Sequence, residues 1–118
     1  VIDDDKDVRD LMNRMLEDIG VRSIEARDGK EGLERTKDKP SLIVLDLEMP
    51  RMDGFEFLEN YIDEYSEENR VPILVYSGKD ITDVQEKLLN ERVVGFVKKD
   101  ETSMDELSER ISKLIKSS

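Results

Sequence analysis

The sequence contains no cysteine and no histidine. Without cysteine, the chain has neither a disulfide framework nor a cysteine-based zinc site. Without histidine, it lacks the most common general base and the most common ligand of transition metals. Any chemistry must therefore rest on carboxylates, lysines, hydroxyl groups and the backbone.

Long apolar runs and an excess of positive charge are also missing. Apolar runs such as residues 42–45 are far too short to cross a bilayer, and there is no signal-peptide pattern. The 30 acidic residues outnumber the 19 basic ones and give a net charge of −11, which disfavours binding to nucleic acid or to anionic membranes. We expect a cytoplasmic protein that neither inserts into membranes nor binds nucleic acid directly.

The length of 118 residues suits one compact domain, and we expect residues 1–118 to form it. Val1 and Ile2 are the only apolar residues before a run of acids. Since a strand normally has about five or six residues, we expect the first strand to begin upstream of Val1.

Five short apolar stretches alternate with five amphipathic ones. The expected strands are residues 1–2, 23–26, 42–45, 73–76 and 95–97. Helical spacing extends from Val8 to Ile19, capping-box patterns begin at Asp28, Thr82 and Ser103, and a further helix covers about residues 55–65, followed by a surface loop at 66–70. This alternation predicts an α/β fold whose parallel sheet has helices on both faces.

In such a fold, ligands bind beyond the carboxyl ends of the strands. The polar residues at these positions are Asp3, Asp4, Asp5, Asp46, Ser77, Lys98 and Lys99. Converging carboxylates repel one another, and a hard cation such as Mg²⁺ removes that repulsion. A lysine and a serine can bind phosphate oxygens, and a carboxylate that attacks phosphorus forms an acyl phosphate. The residues therefore predict a magnesium-assisted phosphoryl site.

Four segments resemble the response regulator receiver domain of two-component signalling, in the CheY-like superfamily. They are residues 1–5, 46–54, 76–78 and 95–99, in the same order and spacing as in that family. The resemblance implies a flavodoxin-like (βα)5 fold, doubly wound, with a five-stranded parallel sheet in the order 2-1-3-4-5. It implies a domain that accepts a phosphoryl group from a histidine kinase or a phosphotransfer domain and then switches conformation. Such a domain catalyses only its own phosphoryl transfer and autodephosphorylation.

The resemblance also implies a role for each site residue. Asp46 corresponds to the phosphoacceptor and Lys99 to the lysine that pairs with it. Asp3 and Asp4 correspond to the acidic pair that binds Mg²⁺ or Mn²⁺, together with Asp46 and the backbone carbonyl of Glu48.

Two further positions correspond to the conformational switch of the family, the hydroxyl of Ser77 and the aromatic ring of Phe96. Phe96 replaces the more common tyrosine, so any switch at this position is steric. Asp100 stands where the family often has proline. Strand alternation sends Lys98 and Lys99 to opposite sides, and the resemblance selects Lys99 for the site.

Simpler interpretations exist for the same residues. Asp46 and Ser77 are also typical of turns, Asp3 and Asp4 of helix N-termini, and Phe96 of a core. Asp5 is assigned to the helix N-terminus and not to the metal.

Other functions remain as alternatives. A phosphatase of the haloacid dehalogenase type requires an aspartate two residues after its nucleophile, where this chain has Glu48. A flavodoxin-like cofactor binder requires a Ser/Thr-rich loop after the first strand. A pseudo-receiver that is never phosphorylated would act only as a docking module.

The molecular context is equally open at this stage. The chain is either a stand-alone regulator or a domain excised from a hybrid histidine kinase or a larger response regulator. The family also includes homodimers that form through the last helix–strand–helix face.

Overall fold

The computed structural model describes residues 1–21 and 23–116, so that Ser117 and Ser118 of the expected domain lie outside it. The strands are β1 (Ile43–Leu45), β2 (Ile73–Ser77) and β3 (Gly95–Lys98). The helices are α1 (Lys6–Asp18), α2 (Gly29–Arg35), α3 (Gly54–Glu64), α4 (Asp83–Arg92) and α5 (Met104–Lys116). The α/β class with a parallel sheet is confirmed.

The strands form a parallel sheet in the order β1-β2-β3. Two isolated parallel bridges extend it, from Ile2 to Leu45 and from Ile2 to Ala26. The three strands agree with the last three positions of the expected order, and the bridges place Ile2 between Ala26 and β1.

The two expected strands at residues 1–2 and 23–26 are reduced to these bridges within the described range. Their hydrogen bonds are those of a parallel sheet: Ile2 N donates to Val44 O at 2.8 Å, and Asp46 N donates to Ile2 O at 2.9 Å. Within residues 1–2, only Ile2 forms bridges, one to Ala26 and one to Leu45. One paired residue is too short a ladder to count as a strand.

Side-chain caps begin most helices where the sequence predicts them. Asp28 accepts from Glu31 N, Thr82 forms a complete capping box with Gln85, and Ser103 accepts from Glu106 N. The expected loop at 66–70 contains a short 3-10 turn, Glu67–Asn69. A second such turn, Thr36–Asp38, follows α2 and was not predicted.

β1 and β2 are buried on both faces, as their continuous apolar runs predict, whereas only Val97 of β3 is fully buried. On one side they pack against Phe57, Leu58 and Tyr61 of α3, and on the other against α1 and α5, including Met12 and Leu107. This packing fixes the carboxyl ends of β1 and β2, which carry Asp46 and Ser77. In the described part of the chain, no helix is both long and apolar enough to cross a membrane.

Candidate functional site

An open cleft of about 420 Å³ lies at the carboxyl ends of the strands. It is lined by Asp3, Asp4, Asp5, Asp46, Glu48, Met49, Pro50, Gly78 and Lys99. The lining residues come from loops that are far apart in sequence and meet only because the strands are parallel. Asp3, Asp4, Asp46, Glu48 and Lys99 of the expected site therefore line one cleft.

Three carboxylates meet in this cleft. Asp3, Asp4 and Asp46 each offer an oxygen atom, and these atoms all lie within 4.8 Å of one another. Asp3 and Asp46 are buried, whereas Asp4 is exposed. Burial raises the pKa of Asp3, the charge of Asp46 adds to that increase, and hydrogen bonds from Lys99 and from Asp5 N partly oppose it. A cluster of hard oxygen ligands with unfavourable mutual repulsion fits a divalent cation.

Lys99 provides a positive charge next to this cluster. Its Nζ lies 2.7 Å from Asp3 Oδ2 and 3.6 Å from Asp46 Oδ2. Burial lowers the pKa of Lys99, but the hydrogen bond to Asp3 and the charges of Asp3 and Asp46 outweigh it, and the net pKa is raised. The side chain is therefore a fixed ammonium group that faces both buried carboxylates.

Ser77 lies on the other side of Asp46. Its Oγ donates to Asp46 Oδ1 at 2.8 Å, and the same carboxylate oxygen accepts from Glu48 N at 3.3 Å. Ser77 Oγ in turn accepts from Leu47 N at 3.4 Å and from Lys79 N at 3.3 Å. Asp46 is thus held between a hydroxyl group at Oδ1 and an ammonium group at Oδ2.

The remaining candidate residues lie at different distances from the cleft. Glu48 is exposed and lines it. Phe96 is half-buried and packs against the core on the α3 side, outside the cleft lining. Lys98 forms an ion pair with Asp80 at the surface and is absent from the cleft lining. Asp5 accepts from Asp7 N and caps α1, as predicted.

Two arginines next to the site were not singled out by the sequence. Arg9 donates to the backbone oxygen of Asp3 at 2.8 Å and pairs with Glu25 at 3.3 Å. Arg51 pairs with Asp28. The sequence gives no local signal of these pairs. Glu25 and Asp28 each lie more than fifteen residues along the chain from the arginine that they bind.

The model of the response regulator receiver domain family matches residues 1–112. Response regulator MprA of Mycolicibacterium vanbaalenii is 36% identical over 97 residues, which are 81% of this chain and 38% of that protein. Sensor histidine kinase CheAY of Helicobacter pylori is 35% identical over 81 residues, which are 66% of this chain and 10% of that protein. The chain spans between 10% and 45% of the length of the first curated relatives.

Among solved structures, the receiver domain of Francisella response regulator 1452 superimposes with a TM-score of 0.83 and 28% sequence identity. The superposition covers 98% of this chain and 93% of that one. The flavodoxin-like fold expected from the sequence is confirmed by this similarity.

Proposed function

Because this chain belongs to the response regulator receiver domain family, we propose that it accepts a phosphoryl group on Asp46 within a two-component phosphorelay. The observation that carries the proposal is the position of Asp46. It is a buried carboxylate at the end of β1, with the Ser77 hydroxyl at one oxygen and the Lys99 ammonium near the other. The conformational change that follows would be the output of the domain.

The transfer requires a nucleophile and compensation of charge. An Asp46 oxygen attacks phosphorus, the bond between phosphorus and the donor breaks, and the donor group leaves with the bonding electron pair. Negative charge is spread over the phosphoryl oxygens, and Lys99 is placed to stabilise it because its Nζ already faces Asp46 Oδ2. No histidine or cysteine is needed for this step.

The residues present fit a divalent cation. Asp3, Asp4 and Asp46 would hold Mg²⁺ or Mn²⁺ through their carboxylates, and Glu48 through its backbone carbonyl. The cation, when bound, supplies positive charge that neutralises the carboxylates and the phosphoryl oxygens.

Ser77 and Phe96 form the proposed switch. The Ser77 hydroxyl would exchange its bond to Asp46 for one to a phosphoryl oxygen. The backbone amides of Leu47 and Lys79, which now donate to Ser77 Oγ, lie close enough to contribute further hydrogen bonds there. Phe96 lies opposite Val75 in the neighbouring strand and at the edge of the core, so its ring can respond to a movement next to Ser77. Water attacking the acyl phosphate would release phosphate and reset the domain. Because the domain would act only on its own aspartate, it would be a signalling module and not a conventional enzyme.

The proposed donor is a histidine kinase or a phosphotransfer domain in the cytoplasm. The similarity to part of CheAY supports a setting in which a receiver is joined to a kinase, and the similarity to MprA supports a larger response regulator. We assign the whole of residues 1–118 to one receiver domain. Its net charge of −11 argues against direct binding of nucleic acid by this domain.

A homodimer through the face formed by α4, β3 and α5 is part of the proposal. Val84, Leu88 and Val94 are exposed there by 70%, 43% and 50%. Val84 and Leu88 lie one turn apart on α4, and exposed apolar side chains on one helix face favour association with another surface.

Beryllofluoride, which mimics an aspartyl phosphate, tests the proposed function. The ¹⁵N-labelled chain is titrated with beryllofluoride in the presence of Mg²⁺, and the amide resonances are followed by NMR. We expect saturable shifts in residues 46–48, 77–79 and 96–99 and none in Asp46→Asn. Absence of shifts in the folded wild-type chain would favour the docking-module alternative.

A further inference from the structure

We propose that Asp28 and Arg51 form a brace that positions the loop after β1 and thereby sets the affinity of the carboxylate cluster for a divalent cation. The inference rests on the proposed function in that the cation is the one proposed above. Neither residue lines the cleft, so the proposed action is on the position of the loop and not on the cation itself.

Arg51 has an unusual backbone conformation. Its φ is 64°, and within residues 1–21 and 23–116 only Lys39 is another non-glycine residue with positive φ. Such a conformation is unfavourable for an L-residue with a long side chain and is kept only where surrounding contacts hold it. The contacts of Arg51 are with Asp28. Its Nε donates to Asp28 Oδ2 at 2.8 Å, and a terminal guanidinium nitrogen contacts the same oxygen.

Asp28 is itself a fixed anchor. Its carboxylate is buried, and Oδ1 accepts from Glu31 N at 2.9 Å as the cap of α2. The next residue adds a second connection to the loop, because Gly29 N donates to Met52 O at 3.0 Å. A Cβ atom at Gly29 would lie 2.6 Å from Met52 O, so the two backbones are in close contact. The start of α2 therefore holds the loop at two consecutive residues.

The other end of the loop is fixed next to Asp46. Gly54 N donates to Leu47 O at 3.1 Å. Between Leu47 and Arg51 lie only Glu48, Met49 and Pro50, and all three line the cleft. A segment this short between two anchors has little conformational freedom, so the Glu48 carbonyl is ordered before a cation binds. A ligand that is already ordered loses less entropy on binding and gives higher affinity.

Two single substitutions separate this action from simple electrostatics. Asp28→Asn removes a negative charge and keeps a side chain that can cap α2, whereas Arg51→Gln removes a positive charge. Long-range charge effects alone would change the affinity for Mg²⁺ in opposite directions in the two variants. Loss of the brace would weaken binding in both.

The test is calorimetric or NMR titration of the unphosphorylated chain with Mg²⁺. We expect both variants to raise the Kd for Mg²⁺ by about three- to tenfold, at or below the loss typical for a residue that orients a metal ligand. Arg70→Gln is the matched control, because it removes the same charge from a hydrogen-bonded guanidinium group, which in Arg70 contacts the backbone oxygens of Tyr65 and Ile62, outside the cleft lining. Its Kd should equal that of the wild type. Urea unfolding in EDTA provides the stability of every variant.

Unchanged Kd values in both variants, or changes of opposite sign, would overturn the brace. If the wild-type chain binds Mg²⁺ and beryllofluoride while the variants match it, the brace fails and the proposed function stands. If the wild-type chain binds Mg²⁺ but not beryllofluoride and the variants bind Mg²⁺ more weakly, the brace is supported and the proposed function fails.

Discussion

Ser77 Oγ donates a hydrogen bond of 2.8 Å to Asp46 Oδ1, and both residues are buried at the end of neighbouring strands. The hydroxyl of the proposed switch thus already contacts the proposed acceptor before any phosphoryl group is present. We predict that phosphorylation of Asp46 replaces this bond, which would couple chemistry at the end of β1 to the loop after β2.

Substituting Ser77 with alanine tests this coupling. A hydrogen bond to a charged group contributes about 1.5–3 kcal/mol, and the proposed bond from the Ser77 hydroxyl to a phosphoryl oxygen would stabilise the transferring group more than the ground state. We therefore expect phosphorylation of Ser77→Ala by acetyl phosphate to be about tenfold slower or more. Ser77→Thr keeps the hydroxyl and should retain most of the rate. The amide shifts of β3 on adding beryllofluoride should disappear in the alanine variant and persist in the threonine variant. A full β3 response in Ser77→Ala would show that the hydroxyl is not the switch.

The raised pKa of Asp3 makes the free energy of unfolding depend on pH. Burial, with a smaller contribution from the charge of Asp46, raises the pKa of Asp3 above its ordinary value of 3.8. The contribution of Asp3 to stability is therefore complete below 3.8 and is lost as the pH rises through the raised pKa. We expect Asp3→Asn to be more stable than the wild type at pH 7 in EDTA, with a smaller difference near pH 4. Urea unfolding at several pH values measures this, and a less stable Asp3→Asn at pH 7 would contradict it.

The backbone at Asp46 and Leu47 leaves no room for a side chain at Gly54. An added Cβ would lie 2.5 Å from Asp46 O and 2.7 Å from Leu47 Cα. We expect Gly54→Ala to lower the free energy of unfolding by about 1–3 kcal/mol, although alanine has a higher helix propensity than glycine. Gly78→Ala is the control, because nothing lies within 4 Å of its Cβ position. Equal urea midpoints for the two variants would be inconsistent with this close contact.

The dimer predicted for α4, β3 and α5 depends on exposed apolar side chains. We expect the beryllofluoride complex to sediment as a dimer, and Leu88→Lys to keep it monomeric. Leu11 is similarly exposed at 47% but lies on α1. Leu11→Lys should therefore leave the dimer intact. A complex that is monomeric at high protein concentration would exclude this interface.

The sequence predicted the central part of the fold well because its signals are local. Continuous apolar runs at 42–45 and 73–76 are typical of strands that are covered on both faces, and β1 and β2 lie within them apart from the last residue of β2. Asp46 and Ser77 follow directly in their places at the carboxyl edge. The alternation of side chains along a strand predicted that only one of Lys98 and Lys99 can enter the site. In the structure, Lys99 forms an ion pair with Asp3.

Other features depend on contacts between distant segments and were not predicted. The segments at 1–2 and 23–26 pair through a single bridge, from Ile2 to Ala26, since one residue of the first segment is too little for a ladder. The brace between Asp28 and Arg51 requires a left-handed residue in a loop that the sequence marks only as a turn. The pairing of Lys98 with Asp80 depends on the path of the loop after β2.

The most direct test of the proposed function is the intact mass of the chain after incubation with Mg²⁺ and acetyl phosphate or phosphoramidate. We predict a single phosphoryl adduct in the wild type that hydroxylamine removes, as expected for an acyl phosphate. The adduct should be absent from Asp46→Asn and from the wild type in EDTA. A folded wild-type chain without an adduct, or an adduct that persists in Asp46→Asn, would contradict phosphorylation at Asp46.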